Sequence, residues 1–178
     1  MQINSVRETG RRFEWRTSME VLEIFPLKII PAQVLLAFKG CPADARFSRI
    51  LFNYLHEKGV SITVLVEGAA EGQHRDLILV VGKELLCSLK KEFGELREAL
   101  QTKTLAIEEP VAVIRILGPH FDIRPGITGR LYASLAKAGI KVLANSITAT
   151  TSLLVVYESE LEIAQRELRA VFRTPKGK

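Results

Sequence analysis

Cysteine is scarce in this 178-residue sequence: Cys41 and Cys87 are the only two. They are too few for a disulfide framework and too far apart for a CxxC motif, so both read as reduced thiols. Cys41, at a strand–helix turn, is expected to be exposed, and Cys87, inside an apolar helical pattern, to be core. His56, His74 and His120 are the only histidines, and none pairs with another His or Cys at metal-ligand spacing. No apolar run approaches the roughly 18 residues that span a bilayer. Met1-Gln2-Ile3-Asn4 lacks the basic-then-apolar opening of a secretion signal, and the expectation is a cytoplasmic protein. Gly-x-Ser-x-Gly, Gly-x-Gly-x-x-Gly and P-loop patterns are absent. Glu108 and Glu109 are adjacent on a predicted strand, where neighbours point to opposite faces, which argues against shared acid–base work. These absences leave no catalytic residue, no metal site and no cofactor to assign.

Charge is present but diffuse. The net charge is +5 and the isoelectric point about 9.4, a balance that can serve an anionic partner such as nucleic acid. The excess is spread along the chain, however, and its clusters at Arg11-Arg12 and Arg173–Lys178 are not interleaved with aromatics as a stacking platform would be. A solvated basic surface is the simpler reading. At 178 residues, 47% hydrophobic and 25% charged, the chain suits one globular domain with a good core or two small ones.

The dominant signal is a repeat. Phe47, Leu51 and Leu55 recur at four-residue spacing and lead to Gly59-Val60-Ser61-Ile62; about 80 residues later Ile127, Leu131 and Leu135 do the same and lead to Gly139-Ile140-Lys141-Val142. Each helix follows an apolar strand-like run, Ala32–Phe38 before Gly40 and Val111–Leu117 before Gly118. In the first copy the expected order is strand 33–38, helix 45–58 stopped by Gly59, strand 60–66, a polar loop over 67–74, strand 77–81, helix 84–93 and a closing strand at 105–107. The second copy runs strand 111–117, helix 127–138, strand 140–143, a turn near Asn145, strand 152–157 and a helix whose stripe is Leu161, Ala164, Leu168 and Val171. Ser159-Glu160-Leu161-Glu162 reads as a capping box for that last helix.

Each copy is thus β–α–β–β–α and needs one more strand. That order gives an α+β fold: ferredoxin-like βαββαβ repeats, antiparallel sheets with helices on one face. The expected division is an N-terminal extension over 1–28, a first repeat over 29–109 and a second over 110–174. The tail after Phe172 is too short and polar to close the second sheet, and Phe13–Phe25 is the expected donor of the missing strand. Pro26 and Pro31 punctuate the approach to the first repeat.

The run Val111–Gly118, the turn Arg124-Pro125-Gly126-Ile127, the helix leading to Ala138-Gly139-Ile140 and the strand Ser152–Tyr157 together resemble an ACT domain. The tandem, over residues 30–172, resembles the regulatory half of aspartate kinases, in which paired ACT domains bind end-product amino acids and inhibit a linked kinase. It also resembles, in outline, their separate small regulatory subunits. In that family Pro-Gly opens the first helix, and the free backbone N–H groups there attract the ligand carboxylate, helped by the helix dipole. Pro125-Gly126 matches that turn. The first copy departs from the pattern: Ala45-Arg46 replaces Pro-Gly, Thr63 stands where the family has an acidic residue, and Glu67-Gly68 replaces a Gln-Asn pair.

The resemblance implies a non-catalytic regulatory protein that binds a small amino acid. The implied ligand-binding residues are Asp122, Arg124, Pro125, Gly126, Ile127, Asn145 and Ser146. It implies no cofactor, a homodimer with sheets joined side by side, and a partner enzyme of amino-acid biosynthesis. Two other readings stay open: a structural or interaction module that has lost its ligand, and a nucleic-acid-binding ferredoxin-like sheet. Aliphatic residues in strands 33–38 and 77–81 disfavour the latter.

Overall fold

The computed structural model describes residues 22–23, 27–68, 72–118 and 126–173. Within them the eight strands, in chain order, are β1 (Leu22–Glu23), β2 (Lys28–Pro42), β3 (Ile62–Glu67), β4 (His74–Gly82), β5 (Thr104–Leu117), β6 (Ala144–Ile147), β7 (Thr151–Tyr157) and β8 (Phe172–Arg173). The four α-helices are α1 (Ala45–Glu57), α2 (Leu86–Leu100), α3 (Ile127–Lys137) and α4 (Leu161–Val171). Short 3₁₀ turns at Lys83–Leu85 and Glu158–Glu160 lead into α2 and α4.

The four-residue periodicity becomes packing directly. Phe47, Leu51 and Leu55 are the buried stripe of α1, and Ile127, Leu131 and Leu135 that of α3. Both helices stop in the same way. Gly59 and Gly139 take φ of +65° and +73°, a left-handed conformation that costs glycine no side-chain clash. Gly59 N donates to His56 O (2.9 Å) and Val60 N to Leu55 O (3.0 Å); Gly139 N donates to Ala136 O and Ile140 N to Leu135 O, both at 3.0 Å. This is a Schellman stop, used twice.

The main sheet has six strands in the order β3-β4-β2-β5-β7-β6, and every neighbouring pair is antiparallel. Its two central strands serve both halves of the chain. Gln33–Lys39 of β2 runs beside Thr104–Val111 of β5, while Lys28–Ile30 runs beside Val113–Arg115. The strand beside Val113–Arg115 of the second half is supplied by Lys28–Ile30, where Phe13–Phe25 was the expected donor. Of that segment, Leu22–Glu23 pairs in parallel with Phe172–Arg173 in a separate two-stranded sheet; residues 13–21 and 24–25 lie outside the described residues.

Pro31 does not end a strand, as its sequence position suggested. It sits inside β2 where the register shifts between Ile30 and Gln33, beside Ala32 at φ +56°. A bulge tolerates a residue that cannot donate to the ladder. Pro110, joined to Glu109 by a cis peptide, falls in the matching step of β5.

Other boundaries also move. Strand β6 begins at Ala144, so Asn145 is a strand residue and not a turn; residues 140–143 are taken up by the exit from the Schellman stop. α2 extends to Leu100, well past Phe93. α4 starts without a capping-box bond, because Glu158–Glu160 form a 3₁₀ turn that hands over to the helix. Its stripe is as read: Ala164 and Leu168 are buried, with Leu161 and Val171 packed beside them.

Three apolar clusters follow. Val34, Leu36, Phe38, Leu77, Leu79 and Val81 of the sheet pack under α1 and α2. Ile114, Ile116, Leu154 and Val156 pack under α3 and α4. On the opposite face, Leu35, Val64, Val80, Val111, Val113, Ala144 and Val155 form one core drawn from both halves. Both faces of the sheet are thus covered, which explains unbroken buried runs such as Val34-Leu35-Leu36.

Truncating Leu131, fully buried in α3, is expected to cost about 2–5 kcal/mol. Gly139→Ala, which strains a positive φ, is expected to cost about 1 kcal/mol. Urea unfolding of the two variants checks both values and their order.

Candidate functional site

The two equivalent helices begin differently. The first turn of any helix leaves N–H groups without intrahelical partners. At α1 the chain supplies one partner itself: Asp44, in extended conformation, accepts a hydrogen bond from Phe47 N at 2.9 Å. At α3 the capping position is Gly126, left-handed at φ +89°, a residue with no side chain of its own to cap the helix. Gly126 is exposed, and a Cβ built on it would meet nothing within 4 Å. Its carbonyl accepts the first helical bond, from Arg130 N at 3.0 Å. At such a helix start, backbone N–H groups and the helix dipole together favour an anion.

The remaining candidate residues divide around this helix start. Ile127 is buried in the core under α3, so only its backbone can meet a ligand. Asn145 lies opposite Leu154, on the face covered by α3 and α4, whereas Ser146 lies opposite Leu153, on the other face. The two were expected to act together; strand alternation separates them. β6 runs parallel to β5, since both are antiparallel to β7. The C-terminal end of β6 therefore sits at the same sheet end as Leu117, from which the chain passes to α3. Asp122, Arg124, Pro125 and His120 lie outside the described residues.

The same end of the first half is tied up by its own side chains. Arg75 pairs with Glu67, donates to Ser48 Oγ at 2.7 Å and stacks over Phe47 with its guanidinium carbon 5.7 Å from the ring centre. Asp76 accepts from Gly40 N at 2.9 Å. At the opposite end of the same strands Thr63 Oγ donates to Gln33 Oε1 at 2.7 Å, and the Gln33 amide donates to Pro31 O. Arg75 was not legible as part of this cluster, because its partners come from α1 and the neighbouring strand.

One further residue was missed. Ser152, on β7, is 0% exposed, and its hydroxyl has no hydrogen-bond partner. A single serine in an apolar strand carries no signal in sequence.

Other features carry less. A groove of about 450 Å³ between α1 and α2 is lined by Tyr54, Lys58, Glu92 and neighbours. Its charges satisfy each other: Lys58 Nζ is 2.7 Å from Glu92, and Lys58, then Tyr54, hold the Glu92 carboxyl below its usual range. Among the described residues no group of three His, Cys, Asp or Glu could hold a metal, and no helix is long and apolar enough to cross a membrane.

The family model for the ACT domain matches residues 106–170. This stretch is an ACT domain. It takes in α3, β6, β7 and α4. No curated protein sequence matches the chain, but solved structures do. The ligand-free regulatory subunit of aspartate kinase from Thermus thermophilus superimposes with a TM-score of 0.73 over 84% of this chain and 99% of that one, at 13% identity. Aspartate kinase from Clostridium acetobutylicum gives 0.74 over 89% of this chain and 37% of the enzyme, at 15% identity. The Synechocystis enzyme gives 0.73 over 87% and 28%, at 20% identity. The ACT domain thus sits in a chain whose fold is that of aspartate kinase regulatory regions.

The two cysteines exchange their expected environments. Cys41 is buried on β2, and Cys87 is exposed on α2, because the buried stripe of α2 runs through Leu89, Leu96 and Leu100. Burial pushes the Cys41 thiol above its ordinary pKa, which lowers its thiolate fraction at any given pH. A thiol reagent at pH 8 is expected to label one equivalent, Cys87, rapidly and Cys41 only on unfolding. Mass spectrometry of the labelled peptides checks the assignment.

Proposed function

We propose that this chain is a non-catalytic regulatory protein made of two ACT repeats that binds a small amino acid and acts on an enzyme of amino-acid metabolism. The repeats would span 29–109 and 110–174, with residues 28–30 lent to the second sheet. The ligand carboxylate would sit on the amides at the start of α3, with Asp122, Arg124, Pro125, Gly126 and Ile127 around it and Asn145 on the adjoining strand; Ser146 faces away from that point. The observation that carries this reading is the exposed, left-handed Gly126 at the start of α3, within the stretch that matches the ACT family model. The fold shared with aspartate kinase regulatory regions supports an aspartate-kinase-like partner.

Edge strands support self-association. Ile62 and Leu65 on β3 are 40% and 42% exposed, and Ile147 on β6 is 37% exposed. Apolar side chains on unpaired edges are templates for a second sheet. Binding would then shift the dimer between arrangements, by no more than the difference in affinity between them.

A second reading, a structural module without ligand, is favoured by the self-capped α1 and the Arg75 cluster of the first half. Nucleic-acid binding on the sheet is not favoured, because the face opposite the helices is packed into the shared apolar core.

Thermal unfolding against each of the twenty amino acids is the test. At least one is expected to raise the midpoint, with a stabilisation of about 2.7 kcal/mol at a hundredfold excess over Kd. Its carboxamide, lacking the anionic end, is expected to give no shift. If none of the twenty moves the midpoint, the structural reading replaces this one. Light scattering is expected to give twice the 19.9 kDa chain mass.

A further inference from the structure

Two cations face each other across the shared central strands. Lys28 on β2 lies opposite Arg115 on β5, and Arg115 lies opposite Leu153 on β7. Their neighbours fix the face. Ile29 and Ile114 pack in the core under α3 and α4, whereas Ile30 and Val113, paired with each other, belong to the cluster on the opposite face. Strand alternation therefore puts Lys28, Arg115 and Leu153 on the helix-free face, in one row at the margin of the inner core.

The pair is electrostatically unfavourable by itself. Residues directly opposite on antiparallel strands have Cβ atoms about 4.5–5.5 Å apart, and like charges there are destabilising. The ion pairs among the described residues use Lys58, Arg75, Lys90 and Arg166 as cations, so no carboxylate among them offsets Lys28 or Arg115. Solvent reaches the two unequally. Lys28 is exposed, which leaves the row open at its β2 end, but Arg115 is half-buried and its Nε is out of solvent without a hydrogen-bond partner. Arg75 has an unpartnered Nε too, yet Glu67 and Ser48 hold its other guanidinium nitrogens. The single unpartnered atoms of Tyr54, Ser152 and Glu160 have no comparable second feature. Arg115 has a charge of its own sign directly opposite.

We infer that Lys28 and Arg115 form an anion-binding site that takes a phosphate group. Two positive charges match a group that carries about −1.5 to −2 at neutral pH, where a carboxylate would leave one charge unpaired. The guanidinium fork meets two oxygens at once, and the ammonium is a mobile point charge for a third. Ile30, Val113 and Val155 behind the row are apolar, and a low local dielectric strengthens the attraction. This site stands on the sheet face opposite α3 and is independent of the amino-acid-binding reading. The phosphate can come as the free ion or on a larger molecule such as a nucleotide.

The test is thermal unfolding of the full chain with inorganic phosphate, or with ATP, against sodium chloride at the same ionic strength, so that general screening is matched. A rise of about 2 °C or more over the chloride control is expected. A rise with inorganic phosphate shows that the free ion suffices; a rise with ATP alone assigns the site to a phosphorylated molecule. Lys28→Glu is expected to abolish the rise. It is also expected to place the midpoint without phosphate at or above wild type, because a repulsive cross-strand pair becomes an attractive one. Arg115→Met, apolar and unbranched, is expected to abolish the rise as well; should it fold poorly, the exposed Lys28→Glu change carries the test. No rise over chloride with either compound overturns the inference, since two merely solvated cations give that result. A rise that survives in a folded variant overturns it by placing the anion elsewhere. A midpoint for Lys28→Glu about 2 °C or more below wild type without phosphate overturns it too, by showing that Lys28 already has a partner in the free protein. The amino-acid response of Lys28→Glu is expected to equal wild type, so failure here leaves the amino-acid reading standing.

Discussion

The antiparallel pairing of β2 with β5 holds the molecule together. These are the two longest strands, and each crosses from one half of the chain to the other. Lys28–Ile30 completes the sheet of the second half before the chain builds the first, and Thr104–Glu108 completes the first before the chain returns to the second. Neither half owns a full set of strands in sequence, so each depends on the other for its core. The inner cluster, with Leu35, Val64 and Val80 from one half and Val111, Val113, Ala144 and Val155 from the other, puts the same dependence into side chains. Any tilt of one half against the other must bend these strands or open that cluster, both of which are costly in a close-packed interior.

On this scaffold two copies of one helix have diverged at their N-terminal ends. Asp44 brings the chain's own carboxylate to the start of α1, and nearby Arg75 is held by Glu67 and Ser48. At the start of α3 the capping residue is Gly126. Glycine at φ +89° turns the chain without placing a side chain over the amides. The same helix, stopped by the same Schellman pattern, is thus capped by an aspartate side chain in one copy and begins at a glycine in the other. That asymmetry is electrostatic in origin: a partial positive charge at a helix start is neutralised either from within or by something that arrives.

Much of this was legible because it is local. The spacing of Phe47, Leu51 and Leu55, its recurrence at Ile127, Leu131 and Leu135, and the glycines that follow identify both helices and their stops, since each signal lies within a turn or two of its effect. The errors share the opposite property. Pro31 read as a break because nothing nearby shows that a bulge opposite Pro110 will absorb it. Cys41 and Cys87 were exchanged because burial depends on which face of an element finds a neighbour. Asn145 and Ser146 were grouped by adjacency, though a strand sends adjacent side chains to opposite faces. Ser152 gave no signal at all, because an isolated serine becomes notable only when every possible partner is known to be elsewhere.

Sequence alone determined the repeated α+β plan, the helix stripes and the glycine at the start of α3. Periodicity and backbone preference act over a few residues and are written in the chain directly. Tertiary structure alone decided that β2 would be shared between the halves and that one sheet face would close into a common core. These outcomes come from pairing segments some 80 residues apart, and the register of such pairing is set by the packing of whole faces and not by any local string of residues.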